Sequence, residues 1–284
     1  MGVLNDYLAN LISGALEGFD SMVARAAEVL GGGMDSWGAV AAFAQAILRP
    51  FCLIVIGICL LIEIAQVSSK VDIIKWEHGL KISVKMVLAV LFLDIAPVFL
   101  EACYAQAAAW VTAGAAFGGG SAFGATINAE IVELIGGVTG LWATIGLFLS
   151  VIILILAIQL CGLVIAAIAF GRMFELYVYI AVSPLPCAFF PLGDGSGGGF
   201  SRITAKFLRS FAAVCLQGVM MIICMRIFGI IMNDVIFDSM TASAGLEDSV
   251  RVSELCYTML LGAIVLVMSV VKCGSWAKSI LDAA

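Results

Sequence analysis

Charged side chains are scarce along this sequence. Only 12% of its 284 residues are charged, 63% are hydrophobic, and the mean hydropathy is +1.16. So few polar groups cannot cover the surface of a folded water-soluble protein of this size. The composition therefore excludes an ordinary soluble globule and predicts an integral membrane protein.

Metal-ligating residues and catalytic motifs are also scarce. The chain has one histidine, His78, and nine cysteines that never form a CxxC pair, so we expect no metal site. Neither HExxH nor GxSxG occurs in it. The glycine-rich stretch GDGSGGGF (193–200) lacks the Gly-Lys-Ser/Thr of a phosphate-binding loop, and a flexible linker is the simpler interpretation. The sequence predicts a protein that is not an enzyme and needs no cofactor.

Long apolar runs dominate what remains. A helix needs about 20 mainly apolar residues to cross a bilayer. The runs of about this length are 47–67, 82–104, 138–170, 208–231 and 254–271. They predict an all-α polytopic membrane protein with about five transmembrane helices, in which an N-terminal region (1–45) precedes a transmembrane domain (46–284).

The N-terminal region has a different pattern. Apolar side chains recur every three or four residues from Leu4 to Leu30, and the acidic residues lie elsewhere on the helical wheel. This spacing predicts an amphipathic helix that ends at the glycine run 31–33. Two roles remain open: the helix packs on its own membrane domain, or it lies at the membrane surface or on a partner.

Basic residues are unevenly distributed between the apolar runs. They cluster after the first run, before the fourth and after the fifth, whereas the segment 105–137 contains no Lys or Arg. Short loops rich in Lys and Arg remain in the cytoplasm. The pattern therefore predicts a cytoplasmic-membrane protein with its N-terminus outside, five crossings and its C-terminus inside. The opening MGVLNDYLAN has no basic n-region, so we expect no cleavable signal peptide.

The segment 173–191 interrupts this pattern. Its Ser183-Pro184-Leu185-Pro186 sequence removes two amide donors from any helix that contains it. Such backbone is tolerated at membrane depth only where protein or water satisfies it. We therefore expect a re-entrant or interfacial element at the inner face rather than another span. A hairpin that gives six spans is the alternative, and it would place 202–209 outside.

Several charged residues fall within the apolar runs. Glu63 and Lys85 lie at a common depth near the cytoplasmic ends of the first two runs, which predicts an ion pair between them. Asp94 lies near the middle of the second run, three residues before Pro97. An ionised carboxylate there costs at least about 2.5 kcal/mol unless it is paired or hydrated. Asp94 is the best functional candidate, with a structural carboxyl at a helix contact as the alternative. Arg226 either reaches toward Asp94 or extends outward, and we favour the second.

The order of these features resembles that of a known family. An outside amphipathic N-terminus, an extended outside loop after the second run, and a long third run that continues into RMFELYVYIAVSPLP (172–186) are similar to the TrbL family of conjugal transfer proteins. This family includes the VirB6-like inner-membrane component of type IV secretion systems, and the resemblance is greatest to the branch on conjugative elements of Gram-positive bacteria. The residues that carry the resemblance are Arg172, Phe174, Glu175, Leu176, Ser183, Pro184 and Pro186.

The resemblance implies a homo-oligomeric channel or scaffold subunit that helps DNA or protein cross the cytoplasmic membrane. The implied partners are membrane lipid, other type IV secretion subunits that include separate ATPases, and the transferred DNA. Arg202, Lys206 and Arg209 are candidate contacts to nucleic-acid phosphates, although their default role is topological anchoring. A small-solute secondary transporter is the alternative, but no convincing internal repeat supports it.

Overall fold

The structure is a computed structural model that describes residues 2–32, 37–70, 76–116, 135, 141–189, 202–242 and 247–281. These residues are almost entirely helical, and no strand occurs among them. The helices are α1 (Gly2–Gly31), α2 (Trp37–Lys70), α3 (Trp76–Ala116), α4 (Leu141–Val182), α5 (Pro184–Ala188), α6 (Arg202–Ala242) and α7 (Asp248–Ile280). The prediction of an all-α protein is confirmed.

Five helical stretches within the described residues are long and apolar enough to cross a membrane. They are Trp37–Ala65, Ile82–Ala116, Thr144–Ala188, Arg202–Ser239 and Val250–Ile280. The five predicted runs coincide with these stretches, so the predicted number is confirmed. The helices are longer than the runs: at about 1.5 Å per residue, the 42 residues of α4 extend over about 63 Å, twice the thickness of the hydrocarbon core. The division into regions 1–45 and 46–284 stays a prediction.

Helix α4 ends later than the sequence predicts. Residues 173–182 are its last turns, and the helix breaks at Ser183 rather than near Gly171. No proline or glycine lies between Arg172 and Ser183, so nothing in that stretch stops the helix. Pro184 then begins α5, because proline is tolerated in the first turn of a helix where its missing N–H has no intrahelical partner. The re-entrant or interfacial character predicted for 173–191 stays a prediction, although 173–182 continue the long helix and the candidate span extends to Ala188. Residues 190–201, which include the predicted linker, lie outside the described residues.

The described residues form two compact units. The first unit comprises Met1–Gly32, Ala109–Arg172 and Gln217–Ser275. Its core is built from the apolar face of α1 together with α4, α6 and α7, and it includes Leu16, Phe19, Leu154 and Met259. Helix α1 thus has the amphipathic form that the sequence predicts, and its apolar side chains are buried within this unit.

Close approach of α1 to its neighbours depends on two glycines. A Cβ added at Gly18 would lie 2.9 Å from Nε2 of Gln159 in α4, and one added at Gly162 would lie 2.5 Å from Sδ of Met22. A larger side chain at either position would therefore displace the side chain of Gln159 or Met22 from the contact between the two helices. These contacts align α1 with the middle of the most apolar part of the chain.

The second unit comprises Gly33–Ala108, Met173–Leu216 and Trp276–Ala284. One of its clusters centres on Trp37, whose ring stacks on Tyr104 with centroids 5.8 Å apart. A second cluster packs α5 against α2 and α3 through Ala188, Cys52 and Leu93. The hydroxyl of Thr204, at the start of α6, donates a 2.8 Å hydrogen bond to the carbonyl of Pro186 and fixes α5 beside α6.

Candidate functional site

An ion pair between α2 and α3 occupies the surface of the second unit. Nη2 of Arg49 lies 3.0 Å from Oδ1 of Asp94 and donates a 3.2 Å hydrogen bond to Oδ2. Both side chains are 47% exposed. Asp94, the strongest functional candidate from the sequence, therefore has a partner, yet the pair is not buried between the two helices. We call these two residues the Arg49–Asp94 patch.

Two prolines lie close to this patch in the sequence. Pro50 follows Arg49 directly in α2, and Pro97 lies three residues after Asp94 in α3. Each proline lacks the amide hydrogen that would bond to the carbonyl one turn earlier in its helix. Each helix therefore has, within about one turn, both a charged side chain and a missing backbone hydrogen bond.

The surroundings of the patch are apolar and exposed. Leu53 lies one turn beyond Arg49 and Val98 lies one turn beyond Asp94, and both are exposed. Charged groups within transmembrane segments face a bundle interior or water, because lipid neither hydrates nor pairs them. A half-exposed ion pair on an apolar surface is costly against lipid, and water or another protein chain as a neighbour would remove that cost.

A second ion pair joins the same two helices. Nζ of Lys85 donates a hydrogen bond to Oε1 of Glu63, which is the pairing that their common depth predicts. The Glu63 side chain is 17% exposed and that of Lys85 is 42% exposed. The other carboxylate oxygen of Glu63 is buried and has no hydrogen-bond partner within the described residues. This pair is the more enclosed of the two, and its geometry favours a role in holding α2 against α3.

Arg226 lies in the first unit, in the second half of α6. Its Nη2 donates a hydrogen bond to the backbone carbonyl of Ala115, the penultimate residue of α3. The guanidinium of Arg226 thus has a hydrogen-bond acceptor within its own unit. The sequence suggested either contact with Asp94 or extension outward, and neither predicts this hydrogen bond.

The residues that carry the family resemblance include both buried and exposed side chains. Leu176, Ser183, Pro184 and Pro186 are buried, and the Ser183 hydroxyl donates a 2.8 Å hydrogen bond to the carbonyl of Ile180. Phe174 is 72% exposed, whereas Arg172 and Glu175 are half-buried and make polar contacts. The buried members shape the end of α4, and Phe174 remains available to a neighbour.

The basic residues of α6 lie on one face of its first two turns. Arg202, Lys206 and Arg209 are all exposed, with the spacing of four and three residues that aligns side chains on a helix. Phe207, between them in sequence, points inward, with its ring centroid 5.5 Å from that of Tyr179. The structure thus brings the three cations together on a single exposed surface.

Two polar residues are not among those predicted from the sequence. Arg49 is the third residue of the run 47–67 and directly precedes Pro50, whereas Asp94 lies three residues before Pro97 in the next run. A charge close to a proline in each run was the available signal. Gln217 is only 1% exposed, and its amide nitrogen has no hydrogen-bond partner in the part of the chain that the structure describes. Nothing in its sequence context distinguishes it from a lipid-facing or surface glutamine.

Comparison with known proteins identifies the family of the chain. The family model described as TrbL/VirB6 plasmid conjugal transfer like protein matches residues 32–184. The match contains both ion pairs and the family-like residues as far as Pro184, whereas Pro186 and the basic face of α6 follow it. No curated protein and no solved structure matches the chain. Since the family model covers more than half of the sequence, this multi-pass membrane protein belongs to the TrbL/VirB6-like family and is a component of a conjugal transfer system.

Proposed function

We propose that the protein is a channel or scaffold subunit of a conjugative type IV secretion system that helps DNA or protein cross the cytoplasmic membrane. Family membership and five membrane-capable helices support this role. The distribution of basic residues supports an N-terminus outside and a C-terminus inside. The absence of a nucleotide-binding motif from the sequence assigns energy supply to separate ATPases of the same system.

The observation that carries the proposal is the exposure of the Arg49–Asp94 patch. A subunit that worked alone in lipid would place this ion pair against acyl chains, and a charged side chain at the centre of a membrane helix costs about 2.5–3.5 kcal/mol. Contact with water in a translocation path removes this cost, and so does contact with a second protein chain in an oligomer. The first arrangement gives a channel wall and the second gives a scaffold interface.

The basic face of α6 adds a possible contact for cargo. Arg202, Lys206 and Arg209 present three exposed cations together, and phosphates of a nucleic acid are attracted to such clusters. With a cytoplasmic orientation for the start of α6, this face lies where transferred DNA first meets the membrane subunit. The same three residues anchor the helix on the cytoplasmic side.

Disruption of the gene, followed by complementation, tests the proposal. We expect disruption to abolish conjugative transfer of the element while uptake of small solutes stays normal. Complementation with Asp94→Leu should restore the protein but not transfer, because Arg49 loses its partner. Asp94→Asn should restore transfer in part, since an amide still accepts a hydrogen bond from Arg49.

Glu17→Leu is the control, because Glu17 is an exposed carboxylate on α1, which is not among the candidate spans. It should transfer at the wild-type frequency. Wild-type transfer by Asp94→Leu at normal protein levels would reject a functional role for the patch. Normal transfer after disruption, with loss of solute uptake, would favour a transporter instead.

A further inference from the structure

A cavity lies in the first unit between α1, the end of α3 and α6. Its volume is about 350 Å³. The residues that line it are Val23, Ala24, Ala27, Glu28, Thr112, Ala115, Ile222, Met225 and Arg226. Volumes of this size are typical of the smaller ligand sites, which begin at about 300 Å³. Ala115 is the penultimate residue of a candidate span, and Arg226 lies five residues before the end of the predicted apolar run 208–231. Both positions support a cavity near the membrane surface, where lipid headgroups are found.

The inner wall of the cavity is apolar. Ile222 and Met225 are buried at its base, while Val23 and Ala27 are half-buried at its sides. If a methylene group needs about the volume of one water molecule, roughly 30 Å³, the cavity accommodates about a dozen of them. An alkyl chain therefore fits it better than a compact polar molecule does.

The rim of the cavity carries one charge of each sign. Arg226 is half-buried, and its single polar contact within the described residues is the bond from Nη2 to Ala115. A guanidinium has five N–H groups, so Arg226 retains donors for an anionic group at the cavity. Glu28, on α1, is exposed and also lines the cavity. The rim thus matches a ligand that carries an anion and a cation close together.

From this combination we infer that the cavity binds the headgroup and upper acyl chain of a phospholipid with a primary amine, such as phosphatidylethanolamine. The phosphate bonds to Arg226, the ammonium bonds to Glu28, and the acyl chain lies against Ile222 and Met225. An anionic phosphatidylglycerol binds more weakly, because its headgroup brings no cation to the Glu28 carboxylate. Phosphatidylcholine is intermediate, because its quaternary ammonium has no N–H to donate.

Native mass spectrometry of the full chain tests this inference. The protein is released from nanodiscs that contain phosphatidylethanolamine, phosphatidylcholine and phosphatidylglycerol in equal amounts, and its retained lipids are counted. We expect phosphatidylethanolamine to exceed phosphatidylglycerol by about tenfold, the ratio that a difference of 1.4 kcal/mol gives. Lipid retention is measured without transfer, so the result is independent of the proposed channel or scaffold role.

Three variants separate the parts of the site. Arg226→Gln should lower retention of all three lipids by about tenfold, the factor that a 1.4 kcal/mol loss of binding gives. Glu28→Gln should leave total retention unchanged and remove the preference for the amine lipid. Ala27→Leu should fill the cavity and lower retention without any change of charge. Arg25→Gln is the control, because Arg25 is exposed on α1 but does not line the cavity.

Opposite results overturn the inference. The cavity is not a phospholipid site if the wild-type protein retains none of the three lipids, or if Ala27→Leu and Arg226→Gln both retain as much as the wild type. The assignment of the amine to Glu28 is wrong if Glu28→Gln keeps the preference for phosphatidylethanolamine. If Arg226→Gln impairs folding through loss of the contact to Ala115, the Ala27→Leu variant still tests whether the cavity holds a lipid.

Discussion

Replacement of Lys85 by methionine should destabilise the contact between α2 and α3. Glu63 is 17% exposed, and one of its carboxylate oxygens already lacks a hydrogen-bond partner within the described residues. Removal of Lys85 leaves this enclosed charge without its counter-ion. Methionine preserves much of the volume of the lysine stem, so the change tests charge rather than packing.

The expected magnitude follows from the enclosure of the pair. Breaking a fully buried pair costs about 3–5 kcal/mol, but Lys85 is 42% exposed and water screens part of the interaction. We therefore expect Lys85→Met to lower the free energy of unfolding by about 2 kcal/mol. Glu63→Leu should cost about 1 kcal/mol, because the longer lysine can extend to a more polar region. The double variant should be within about 1 kcal/mol of the wild type, since two apolar side chains replace an ion pair at little cost.

Fluorescence during unfolding by dodecyl sulfate provides the measurement. Trp37 is buried and stacks on Tyr104 within the same unit as the ion pair, so a protein that keeps Trp37 as its only tryptophan reports on that unit. The cycle of two single variants and one double variant should give a coupling of about 2–4 kcal/mol. Additive effects, with coupling below about 0.5 kcal/mol, would refute the reasoning and leave Glu63 and Lys85 as independent side chains.

Two further predictions concern helix packing and topology. Gly162→Ala should destabilise the first unit by about 1 kcal/mol, because the new methyl group meets Met22. Gly146→Ala in the same helix should instead stabilise it by about 0.5–1 kcal/mol, because nothing lies within 4 Å of that position. Equal effects of the two variants in unfolding experiments would contradict the close contact with α1. Single cysteines at Ala116 and Glu247, in an otherwise cysteine-free protein, should react with a membrane-impermeant thiol reagent in intact cells, whereas cysteines at Ser68 and Ser279 should not. Labelling of the second pair alone would reverse the proposed orientation.

Hydropathy was sufficient to predict the number and order of the long helices, because the bilayer imposes a minimum apolar length on each of them. Helix ends were less predictable, as the continuation of α4 through 173–182 illustrates. Charged side chains alone do not end a helix; residues such as proline and glycine do, because they disfavour helical backbone geometry. The Glu63–Lys85 ion pair could be predicted from the sequence, because both residues lie at a similar distance from the basic loop between the first two runs. Arg49 was missed because its contact with Asp94 depends on how α2 and α3 are rotated, and periodicity in one helix does not specify that rotation.

The packing of α1 against α4 and α6 has a consequence for biosynthesis. Gln159 and Gly162, which contact α1, are made about 140 residues after Gly18 and Met22, an interval of roughly 7–28 s at about 5–20 residues per second. Gly218, beside Leu30, is made later still. Until then the apolar face of α1 lacks its main partners in its own chain, so the membrane surface or an insertion factor must cover it. Helix α1 is therefore made well before it can reach its final position, and in the interval it behaves as a peripheral membrane helix.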